Sequence, residues 1–151
     1  MTARSKLWLI VLTVVALACA GSATGPPVVH WGVDECSHCH MILGEQRFAA
    51  VARSGAGEEV RFDDLGCFAR YLAGSTDPWQ GWVNDSGGAG WLPAESAHYV
   101  RRQGLATPMG SGLTAWSSAD AAASAAGEAV AGTEQLTWRQ VLDLARSAAP
   151  T

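Results

Sequence analysis

The chain has 151 residues, 48% hydrophobic and 16% charged, which suits one compact domain and excludes the low-hydrophobicity, high-charge profile of a disordered chain. Its formal net charge of −4 becomes more negative once residues 1–18 are set aside, because that stretch holds Arg4 and Lys6 and no acid. So acidic a domain does not track phosphates, and nucleic acid is not an expected partner.

The first element reads as an export signal. Arg4 and Lys6 precede an apolar run from Leu7 to Ala18, broken only by Thr13 and too short to span a bilayer. The run ends Ala16-Leu17-Ala18-Cys19 and continues Ala20-Gly21-Ser22. This resembles the lipobox of bacterial lipoproteins, in which the Cys is lipidated and becomes the mature N-terminus. The competing cut follows the Ala-x-Ala of Ala18-Cys19-Ala20 and would release a soluble protein. On the lipoprotein reading, 1–18 is the signal peptide, Cys19 anchors the chain, 19–30 is the lipidated Cys and a tether with Pro26 and Pro27, and 31–150 is the folded domain. So short a tether holds the domain close to the bacterial outer or cytoplasmic membrane, facing the periplasm or the exterior.

Within the exported part, Arg47 to Ser54 and Glu58 to Phe62 flank Gly55-Ala56-Gly57 and predict a β-hairpin. Asp63 or Asp64 then caps a helix in which Leu65, Phe68, Ala69 and Leu72 share a face, and Gly74 stops it. Trp79 to Asn84 predicts a strand, residues 85–90 a loop, and Trp91-Leu92-Pro93 a brief extended piece. Gly112 to Trp116 predicts another strand. Ser117 or Ser118 caps a thin alanine helix over 119–126 that Gly127 closes. Thr133 to Thr137 predicts a last strand and Trp138 to Ser147 a terminal helix, with Val141, Leu142 and Ala145 on one face. Hairpin, helix and strand in the first half, with a looser strand, helix and strand in the second, predict an α+β domain of two ββαβ-type units.

The chemistry is concentrated in Asp34-Glu35-Cys36-Ser37-His38-Cys39-His40-Met41. Four readings compete there. Thiolate and thioether donors select Cu(I), and Cys39 and Met41, two apart in an extended segment, point the same way. Cys36 to His40 also spells CxxCH, the covalent haem motif of a c-type cytochrome, with His40 as axial ligand and Met109 available downstream. A CxxC pair in an exported protein also matches a thiol-disulfide oxidoreductase centre. Structural zinc wants a second close pair of Cys or His, which His30, Cys67 and His98 do not supply. The plainest reading is a Cys36 to Cys39 disulfide with solvated histidines, and it leaves the methionines without a role. Cys67, alone in an apolar run, reads as a buried small hydrophobe, and His98 as structural. Asp63 and Asp64 read as helix caps rather than as an acid and base pair. No nucleophile, base and oxyanion arrangement is visible, so the expectation is a binding protein rather than an enzyme.

The succession of DECSHCHM, VRFDDLGCFARYL, WVNDSGGAGWLPAESAHYV and TPMGSGLTAWSSADAAASAAG resembles the NosL family, the copper-binding lipoproteins that accompany nitrous oxide reductase. The blocks cover most of the mature chain. The resemblance implies two ββαβ units, similar to part of the organomercurial lyases, and a Cu(I) carrier that serves an apo-enzyme or its maturation complex. It places Cys39, Met41 and Met109 as ligands, with Cys36 as a further ligand, a disulfide partner or an aid in transfer. One position departs from the pattern. The family commonly has Gly between the second Cys and the Met, and here His40 stands there, adding an imidazole to the ligand set.

Overall fold

Alternating apolar and polar side chains build two antiparallel sheets in the computed structural model, which describes residues 24–127 and 131–148. The signal peptide and Cys19 lie outside the described residues, as do residues 128–130 of the alanine-rich stretch. Strand β1 (Ala50–Ser54) is flanked by β2 (Glu59–Phe62) and β3 (Trp79–Asn84), and β4 (Trp91–Pro93) adds to the edge, in the order β2-β1-β3-β4. The register sets Ala50 opposite Phe62 and Val83, and Ala52 opposite Val60, so these side chains form a buried apolar patch on one face of the sheet. Helix α1 (Leu65–Ala73) joins β2 to β3 and buries Leu65, Cys67, Phe68 and Ala69 in the core.

The second sheet has β5 (His98–Arg102) between β6 (Leu113–Trp116) and β7 (Thr133–Leu136), with helix α2 (Ala119–Ala126) joining β6 to β7. The chain ends in α3 (Trp138–Ser147), started by a capping box between Thr137 and Gln140. Trp138 stacks on Phe68 at 5.0 Å and on Tyr99 at 5.7 Å, which joins the two units into one core. The backbone of Ser86 donates to Ala115 O at 2.9 Å and links the sheets at their edges. The predicted α+β architecture of two ββαβ units is the one observed.

Two local differences have physical causes. Arg47, expected to open a strand, lies in a 3-10 turn over Gln46–Phe48, and the ladder begins at Ala50. The strand His98–Arg102 was not predicted; Tyr99 and Val100 are both buried, so the alternation that marks a half-exposed strand is missing. That strand completes the second unit. Part of the expected tether also rests on the domain, where Arg53 donates to Gly25 O at 2.8 Å and Arg61 to Val28 O at 2.7 Å.

Candidate metal centre

The segment from Asp34 to Leu43 folds back on itself as a knuckle. Leu43 N donates to Asp34 O at 2.9 Å and Cys36 N to Met41 O at 2.8 Å, with Glu35 bridged to Ile42 between them. His40 N reaches back to Cys36 O at 2.9 Å, and the tight reversal puts His40 at φ 62°. It is the one non-glycine among the described residues in the left-handed region, where an L-residue is strained. The position suits glycine on backbone grounds, and His40 occupies it at a conformational cost.

The knuckle is bolted to the first sheet and to the start of α1. Ser37 N donates to Arg61 O at 2.8 Å, Arg61 N to Ser37 Oγ at 3.2 Å, and Gly44 N to Asp63 Oδ1 at 3.1 Å. Cys36 is thereby fully buried and Cys39 half-buried, while His38, His40 and Met41 face solvent.

Cys67 completes the arrangement from the first turn of α1. It is fully buried, as expected of a lone Cys in an apolar run, yet its neighbours are the knuckle sulfurs. The Sγ atoms of Cys36, Cys39 and Cys67 all lie within 4.8 Å of one another, and no imidazole nitrogen or carboxylate oxygen belongs to the group. All three are free thiols. Sequence spacing offers no sign of this, since Cys67 lies far along the chain and arrives through the packing of α1 on the sheet.

The three thiols differ electrostatically. Cys36 accepts the hydrogen bond of the Cys67 thiol and is faced by the backbone N–H groups of Cys39, Asp63 and His38; against the cost of burial, these pull it down to about 4. Burial pushes Cys39 up, with the Met41 N–H working the other way. Cys67 is pushed well above the ordinary thiol range because its proton is held against Cys36 and the site is desolvated. Burial also raises Asp63, and the charge on Cys36 adds to the effect. A soft cation held by these thiols would take the place of the proton between Cys36 and Cys67. The guanidinium Nη2 of Arg70 stands 4.0 Å from Cys67 Sγ.

The two methionines expected as thioether donors are partly open to solvent. Met41 closes the knuckle and is 56% exposed; Met109 is 42% exposed on the connection between β5 and β6. Asp64 ties that connection to the thiol-bearing helix. Its Oδ1 accepts from Gly66 N at 2.6 Å as the N-cap of α1, and its Oδ2 accepts from Thr107 Oγ1 at 2.7 Å and Met109 N at 3.0 Å. Gly66 permits the approach, since a Cβ there would lie 2.6 Å from Ser111 Cβ. Of the expected site residues, Cys36 and Cys39 come together, Met41 adjoins them on the same knuckle, and Met109 is held at the cap of the helix carrying their third partner. His40 is on the exposed tip, and His98 is exposed on β5. The large hydrophobic residues that are markedly exposed among the described residues are Val28, Trp31, Val33, Met41, Ile42 and Met109, so they concentrate on the knuckle side of the sequence and at the Met109 turn.

This geometry separates the competing chemistries. A haem thioether needs Cys36 open to a porphyrin, and Cys36 has no exposed surface. An oxidoreductase CxxC opens a helix and presents its attacking thiol, whereas here the pair flanks a hairpin turn and the low-lying thiol is the buried one. Structural zinc takes four protein ligands, and the cluster has three. Three sulfurs with no oxygen or nitrogen donor suit a soft ion of low coordination number.

No protein-family model matches the chain, and no curated protein matches it in sequence. Its fold matches the crystal structure of the copper chaperone NosL from Shewanella denitrificans with a TM-score of 0.62 at 14% identity, covering 79% of this chain and 94% of that one. The two chains share a fold, the one that the sequence blocks implied.

Proposed function

We propose that the protein is a copper-binding metallochaperone that carries Cu(I) outside the cytoplasm, tethered to a membrane through Cys19, and delivers it to nitrous oxide reductase, a related apo-enzyme or its maturation complex. It binds and hands on an ion and catalyses no reaction. The observation that carries this reading is the group of three sulfurs within 4.8 Å, with no nitrogen or oxygen donor in the set. Thiolates select Cu(I) over the harder divalent ions. Likeness in fold to a copper chaperone supports the same reading.

Delivery requires retention and release in one site. Buried Cys36 retains the ion, buried Cys67 adds a third sulfur from α1, and half-exposed Cys39 is the thiol that an acceptor can reach. Met41 and Met109 are exposed thioethers that receive or pass on the ion at the surface, and the apolar residues of the knuckle segment give an acceptor a surface to press against. His40, on the tip, serves the turn and is available as an outer nitrogen donor.

An anaerobic Cu(I) competition titration against a colorimetric chelator, on the reduced protein with a full visible spectrum, tests this. The expected result is tight binding of about one Cu(I) without a haem band, abolished in Cys36→Ser/Cys39→Ser. A covalent haem absorbance, or undiminished affinity in the double variant, would overturn it.

A further inference from the structure

The remaining question at the site is charge. Cu(I) held by two thiolates forms a unit of net charge −1, and the third thiolate makes it −2. Added charge in the interior is costly unless it is paired. The near surroundings make matters worse, since Asp63 and Asp64 are buried carboxylates at the start of the same helix. Asp63 already faces Cys36.

Arg70, one turn beyond Cys67 on α1, brings a guanidinium to the cluster, with Nη2 4.0 Å from Cys67 Sγ. Arg53, Arg61 and Arg101 are paired with carboxylates: Arg53 with Glu59, Arg61 with Glu59 and Asp34, Arg101 with Glu134. Among the described residues, no carboxylate pairs with Arg70. Its side chain is half-buried and lines a cavity of about 380 Å³ with Gly66, Arg101 and Ser111, so it keeps partial hydration while facing the sulfur. A guanidinium stays charged in such a place and is weakly hydrated, which suits it to lie beside a large soft anion.

We propose that Arg70 is the counter-charge of the copper-loaded cluster, a positioning residue that keeps Cys67 on Cu(I) as a third ligand beside Cys36 and Cys39. The inference rests on the Cu(I) reading above. It makes α1 more than a carrier of one thiol, because residues 67 and 70 act together. Withdrawal of the guanidinium towards the cavity favours the two-thiolate form, from which an acceptor takes the ion more readily.

The test compares the wild type with Arg70→Met, which keeps the stem and removes the charge, and with Arg70→Lys, which keeps a charge. Cu(I) affinity is read by anaerobic competition, and the number of sulfur ligands by X-ray absorption. Arg70→Met is expected to lose on the order of tenfold in affinity, equivalent to about 1.4 kcal/mol, and to shift copper from three sulfurs to two. Arg70→Lys is expected to restore most of both. In a double-mutant cycle, Arg70→Met added to Cys67→Ser is expected to cost nothing further, as groups acting through one contact should. Three sulfurs and undiminished affinity in Arg70→Met, beside a tightly binding wild type, overturn the inference alone. A wild type that fails to bind Cu(I) overturns the carrier reading and this inference with it. If Arg70→Met does not fold, Arg70→Gln replaces it, with the same outcomes.

Discussion

The first unit, β1-β2-α1-β3, and the second, β5-β6-α2-β7, run the same topology with the first strand in the middle of each sheet. Their helices are equivalent in frame and unlike in content. Asp64 and Ser118 occupy the N-cap, and three residues on stand Cys67 in one and Ala121 in the other. Helix α1 buries five successive residues against the shared core, whereas α2 buries only Ala122 and Ala126, in a small cluster with Val100 and Trp116. The connections between the paired strands differ too. Residues 55–58 make a tight turn in the first unit, while residues 103–112 form a longer excursion that crosses to Asp64 and brings Met109 to the N-terminal end of α1. A repeated backbone frame thus does not repeat chemistry. One unit holds the thiols, and the other supplies a buttress and a reaching loop.

The sharpest way to break this comparison is to truncate each helix. Phe68→Ala should cost about 3–5 kcal/mol, since Phe68 is fully buried between Phe62 and Trp138, whereas Ala122→Gly in α2 should cost only about 1 kcal/mol. Denaturant unfolding measures both, and equal losses would mean that the two helices support the core alike. The caps give the next largest contrast. Asp64→Ala removes three hydrogen bonds from a buried carboxylate and should cost roughly 3 kcal/mol, while Ser118→Ala loses one exposed cap bond, worth about 1 kcal/mol. Proteolysis between residues 103 and 112 should rise only in the first variant. The smallest effect concerns the knuckle: His40→Gly relieves the left-handed backbone and, net of the entropy of a new glycine, should stabilise by about 0.5 kcal/mol. Thermal unfolding reads that gain, and a loss would show that the imidazole contributes more than the strain it brings.

Much of the frame was legible because it is written in short-range terms. The hairpin around residues 55–57, the caps at Asp64 and Ser118, the stops at Gly74 and Gly127, and the terminal helix from Trp138 each depend on residues within a turn or two of one another. His98–Arg102 escaped because the adjacent Tyr99 and Val100 are both buried, which erases the alternation of a half-exposed strand. At the site, the residues of the knuckle were legible as a cluster of soft donors, since they are adjacent. Their division into buried and exposed was not.

The sequence alone therefore determined the α+β class, the two-unit order and the soft character of the donors, all of which follow from local periodicity, capping and residue type. Only the tertiary structure decided that Cys67 joins Cys36 and Cys39, that Arg70 stands beside it, and that Met41 and Met109 remain at the surface. Those outcomes rest on contacts between distant segments: Ser37 on Arg61, Gly44 on Asp63, and Met109 on Asp64. No spacing rule within one segment encodes which hydrogen bonds will form between two.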